Sequence, residues 1–88
     1  MDLNDALEYV SEQGALKADG FDDCIIGVAE RCSKQPLLVY DVSKIIEKLM
    51  KDGLSYEEAQ EHFDFNIAGA WVGEGTPLYL TRIENDDD

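Results

Sequence analysis

Residues 37–50, "LLVYDVSKIIEKLM", change their hydrophobic period half-way along. Up to Tyr40 they form a short apolar run of strand-favouring residues. From there on Val42, Ile45, Ile46 and Leu49 recur at helical spacing, with Glu47, Lys48 and Lys51 pointing the other way. Asp41 stands at the switch, and an aspartate just before a helical stripe is a good N-cap. A strand therefore runs directly into a helix, which makes the domain α+β.

Working outward toward the N-terminus, residues 24–29, "CIIGVA", form a second apolar run. Ile25, Val28, Ala29 and Cys32 would also suit a helix, but shortness, β-branching and Gly27 favour a strand. Residues 32–35 link the two strands as a hairpin, and Pro36 suits the start of the second strand, where a missing N–H costs little. Both strands are apolar on both faces, so each side of the sheet needs cover. Further upstream, Leu3, Ala6, Leu7 and Val10 mark a helix over residues 3–13 that Gly14 stops, and residues 17–20 read as a turn.

Toward the C-terminus, Gly53 ends the helix that Asp41 begins. Ser55 and Glu58 form a capping-box pattern for the next helix, which runs to about Ile67 and completes an αα-hairpin. Residues 78–83, "LYLTRI", alternate as a strand. The predicted order is α, β, β, α, α, β. Residues 1–83 form one α+β domain with a small antiparallel sheet, made of the hairpin and the C-terminal strand. The αα-hairpin and the N-terminal helix pack on it, and residues 84–88 form a disordered acidic tail.

The chain has 88 residues, with 20 acidic and 7 basic side chains and a net charge of −13. That balance disfavours phosphate-mediated binding to DNA or RNA and adhesion to anionic membranes, and favours basic partners. The start of the chain is acidic and carries no signal-peptide pattern, and no apolar run is long enough for a membrane span. Cys24 and Cys32 read as reduced thiols of a cytosolic protein. With His62 they make too few ligands, at poor spacing, for zinc.

Residues 65–79, "FNIAGAWVGEGTPLY", surround the only tryptophan with three glycines. A P-loop is excluded, because Glu74 stands where the pattern following Gly69 requires glycine and no lysine is nearby. The G-x-G-x-x-G spacing is missing too. A structural reading has Gly69 ending the helix, Gly73 and Gly75 taking positive φ in a turn, and Pro77 stiffening the entry to the last strand. Trp71 then plugs a gap between helix pair and sheet. The competing reading makes Trp71 and Glu74 an exposed recognition edge, since tryptophan is favoured at binding hot spots.

Residues 21–80 resemble a family of small tailed-bacteriophage proteins that carries no assigned activity. The resemblance lies in Tyr56-Glu57-Glu58-Ala59, Phe65-Asn66, residues 69–73 "GAWVG", and Thr76-Pro77. It implies a phage origin and the cytoplasm of an infected host cell, and it brings no catalytic residue.

Chemistry is hard to assemble from the remaining residues. Glu58 and His62 could share a helical face as an orienter and a base, but no nucleophile accompanies them. The neighbouring pairs Asp22-Asp23 and Glu57-Glu58 do not face one another, and the acids of residues 19–23 lack an EF-hand pattern. Glu57, Glu58, Glu61 and Asp64 recur along the last helix and would repel a DNA groove, though a row of carboxylates can imitate phosphates. The expectation is a non-enzymatic, cofactor-free accessory protein that binds a host or phage protein. Its candidate surfaces are Trp71 with Glu74 and the acidic face of Glu57, Glu58, Glu61 and Asp64. The alternative is a DNA-mimic inhibitor of a host nucleic-acid enzyme or defence system.

Overall fold

The computed structural model describes residues 1–83, so the expected acidic tail lies outside the described residues. In chain order the elements are α1 (Leu3–Glu12), a 3₁₀ turn (Asp22–Cys24), β1 (Ile25–Arg31), β2 (Lys34–Asp41), α2 (Val42–Lys51), α3 (Tyr56–His62) and β3 (Leu78–Leu80). The last turns of α3 widen into a π-helix over Phe63–Ala68. Among the described residues the architecture is α+β, a three-stranded sheet in the order β1-β2-β3 with three α-helices.

The junction at Asp41 forms as its residues dictate. Asp41 caps α2, its carboxylate accepting from the Ser43 N–H at 2.9 Å. Ser55 and Glu58 form a full capping box at the start of α3. The stripe of α2 then buries Ile45, Ile46 and Leu49. They join Leu38 and Tyr40 of β2, Val10 of α1, Cys24, Ala59, Phe63 and Ile67 in one core. Tyr40 lies at its centre, its hydroxyl accepting from the Ala18 N–H at 2.8 Å. Burial pushes the Tyr40 phenol up to about 12. Tyr79 of β3 packs against both Tyr40 and Phe63, with ring centroids 5.7 and 5.5 Å apart.

The hairpin is tighter than the expected four-residue link. Arg31 pairs with Lys34, leaving Cys32 and Ser33 as the turn, and Ser33 takes φ 62°. Pro36 therefore lies inside β2 and not at its start. It is tolerated because the register slips between Ala29↔Leu37 and Arg31↔Lys34, so that Gln35 and Pro36 oppose Glu30 alone. A bulge is one of the few places inside a sheet where a missing N–H is harmless.

The sheet is mixed, not wholly antiparallel. β1 and β2 pair antiparallel, whereas β3 runs parallel to β2, with Val39↔Leu78, Tyr40↔Tyr79 and Asp41↔Leu80 in register. Two helices and residues 69–77 carry the chain back to enter β3 beside Val39, a connection long enough for a parallel crossover. Side-chain alternation is the same for either direction, so the pattern of residues 78–83 could not reveal it. The strand also stops at Leu80, where its partner β2 ends at Asp41, and beyond it Arg82 reaches back to Asp41, Nε to Oδ2 at 2.9 Å.

Asp41 is only 3% exposed. Burial alone would raise its carboxyl pKa, but the hydrogen bonds from Arg82 and from the backbone at Ser43 outweigh burial and hold it below the usual carboxylate range. A lowered folded-state value means that this stabilisation is complete above the unfolded carboxyl's pKa, about 3.9, and is lost as pH falls through the folded value. Asp41→Ala removes the cap and the charged hydrogen bond together and is expected to cost about 2 kcal/mol in urea unfolding at neutral pH. The difference from wild type should shrink on acidification below about pH 4. An equal loss at pH 3 and pH 7 would show that the carboxylate charge contributes nothing.

Candidate functional site

The glycine-rich segment is built from the end of α3 onward. A Cβ on Gly69 would lie 2.8 Å from the Asp64 carbonyl oxygen, five residues earlier, so only glycine fits where the π turn closes. The next turn is stapled by one hydroxyl. Thr76 Oγ1 accepts from the Val72 N–H at 3.0 Å and donates to the Gly73 carbonyl at 2.7 Å. The Thr76 N–H also donates to that carbonyl. Gly73 takes φ 115°, as the turn reading expected.

Gly75 is glycine for a different reason from the expected one. It has no positive φ; instead its missing Cβ would sit 2.5 Å from the Gly14 carbonyl oxygen and 3.3 Å from Ala15 Cα. The Leu16 N–H donates to its carbonyl at 3.0 Å, and Pro77 beside it is buried. The segment does close the fold, by backbone contact with the loop after α1. Gly75→Ala must displace backbone and is expected to lower the melting temperature by several degrees, corresponding to about 1–3 kcal/mol. A variant that melts with the wild type would mean that the loop after α1 yields freely.

Trp71 has no part in that closure. It is 71% exposed, which overturns the core-plug reading, and Phe65 is 79% exposed. Val72 is exposed as well, and Glu74 projects at the tip of the turn. Trp71 immediately precedes the turn that the Thr76 hydroxyl staples. Beneath this edge lies a cavity of about 230 Å³, lined by Leu16, Ala18, Phe21, Ile67, Ala70, Val72, Pro77 and Tyr79 together with Lys17, Asp19 and Asn66. It is smaller than the roughly 300–1,000 Å³ typical of cofactor and drug-sized sites, and suits a single apolar side chain.

The four acids of α3 and its extension do not form one row. Glu58 folds back onto the Ser55 N–H at 2.9 Å, and those capping hydrogen bonds lower its carboxyl pKa. Glu57 and Glu61 are exposed one turn apart. Asp64 instead lines a separate groove between α2 and α3. The Glu58–His62 couple does not assemble either, since His62 Nδ1 faces Asn66 Nδ2 at 3.4 Å. Cys24 is a buried core thiol whose pKa is pushed up by burial, and Cys32 is exposed.

Among the described residues no group of three His, Cys, Asp or Glu side chains is placed to hold a metal ion. No helix there is long and apolar enough to cross a membrane. The α2–α3 groove was not marked in advance, although the exposed Met50 and Tyr56 flanking the helix turn were its visible signal. No family model matches the chain, and neither a curated protein nor a solved structure is similar to it.

Proposed function

We propose that the protein is a small phage accessory protein that acts in the cytoplasm of the infected cell by binding a host or phage protein. The observation that carries this reading is the display of Trp71. A tryptophan held out on a stapled turn, with Phe65 and Val72 exposed in the same segment, has the composition of a binding hot spot. Isolated exposed apolar residues are ordinary, but here three large ones fall within eight positions of one segment. A net charge of −13 favours a basic surface opposite it.

Nucleic-acid mimicry is the weaker reading. With Glu58 engaged in its capping box and Asp64 turned to the groove, only Glu57 and Glu61 remain as neighbours along the outward face of α3. Two carboxylates one turn apart give steering without a phosphate-like track.

Trp71→Ala separates these possibilities from a structural role. Its stability is expected to match wild type within about 0.5 kcal/mol, because little buried surface is lost. Affinity for the partner captured from host lysate on the tagged protein is expected to fall about thirtyfold, the equivalent of about 2 kcal/mol. Capture that survives the substitution but disappears as salt is raised would reject the Trp71 edge and favour mimicry.

A further inference from the structure

The αα-hairpin leaves a second surface unfilled. Between α2 and α3 runs a groove of about 450 Å³, which Ile46, Met50, Tyr56 and Phe63 line with apolar surface. Met50 and Tyr56 are exposed despite their size. The Tyr56 hydroxyl accepts from Gln60 Nε2 at 3.0 Å, which ties its ring to its own helix as one wall. Among the described residues the charged groups lining the groove are Glu47 and Asp64, with no lysine or arginine. The lysines of α2, Lys44, Lys48 and Lys51, line a different pocket around Asp23.

We propose that this groove is a docking site for a basic amphipathic helix of a partner protein. The ten residues of α2 give a wall about 15 Å long, matching two to three turns of an added helix. Apolar anchors at i, i+3 or i+4, and i+7 would enter between Met50, Tyr56 and Phe63. Lysines or arginines flanking that stripe would meet Glu47 and Asp64, one on each helix. A second copy of this chain is disfavoured as the occupant, because it would bring −13 of like charge. The site is independent of the Trp71 edge, so either can fail without the other.

The test is a titration of isotope-labelled protein, followed by NMR at about 0.15 M salt. The probe is a synthetic Leu/Lys peptide of about four helical turns with its leucines on one face. A peptide of the same composition, scrambled to abolish the stripe, is the control. Saturable shifts are expected at the methyls of Ile46 and Met50 and at the Tyr56 ring, with the scrambled peptide at least about tenfold weaker. Glu47→Lys with Asp64→Lys, and separately Met50→Lys, should each weaken binding about tenfold, while Trp71→Ala leaves it unchanged. The same spectra report whether each variant is folded. No saturable binding, equal binding of the scrambled peptide, shifts centred on Glu57 and Glu61, or insensitivity of folded groove variants would each overturn the proposal.

Discussion

The fold depends on the carboxylate of Asp41. One side chain, almost wholly buried, ends β2, caps α2 and holds Arg82 beyond the last strand. β3 is joined to the sheet over three residue pairs, and among the described residues no strand pairs with its outer side. A parallel edge strand that short is weak by itself. The ion pair joins Asp41, a member of the last pair Asp41↔Leu80, to Arg82 two residues beyond that pair, so it closes the ladder where fraying would begin. Arg82 remains largely in water and Asp41 does not, so the attraction arises at the boundary of the core. A buried carboxylate is costly unless its oxygens are occupied, and here one accepts from a backbone N–H and the other from the guanidinium.

A second constraint is the approach of Gly75 to the loop after α1. It draws together segments some sixty positions apart and leaves no room for a β-carbon. Residues 69–77 thus divide their labour. Gly69 closes the π turn, Gly75 and Pro77 lock the segment against the body, and the limb between them is free to carry Trp71 outward. A rigid support for an exposed aromatic lowers the entropy lost on binding.

How much of this could be read from residues follows from how local each cause is. Asp41 before Val42, and Ser55 three places before Glu58, act within one turn, so both caps and the strand-to-helix switch were legible. Gly73 was legible because a turn demands its φ. The direction of β3 was not, since Leu78 and Leu80 would alternate with Tyr79 in either sense. Gly75 was misread, and for Trp71 the residues left burial and exposure both open. The glycine answers a remote backbone that no local pattern contains, and the size of the indole suggests burial while the preference of tryptophan for binding hot spots suggests exposure, a choice only the tertiary structure makes. The acidic row on α3 looked uniform by spacing, but Glu58 had a local obligation to its own N-cap that the same capping pattern already announced.

Charge links the two exposed surfaces to the energetics of folding. Of seven basic side chains, Lys17, Lys48 and Arg82 are committed to Asp22, Asp23 and Asp41. Among the described residues, carboxylates still far outnumber the remaining cations. Compaction of such a chain works against its own repulsion, and the penalty is felt wherever acids crowd a surface. A cationic partner would relieve that repulsion in the folded state more than in the extended one, where the charges are farther apart. Binding would then raise stability by mass action and by screening at once. The same field that discourages association between copies would draw a basic surface toward the protein, leaving the apolar contacts at Trp71 or in the α2–α3 groove to decide which partner stays.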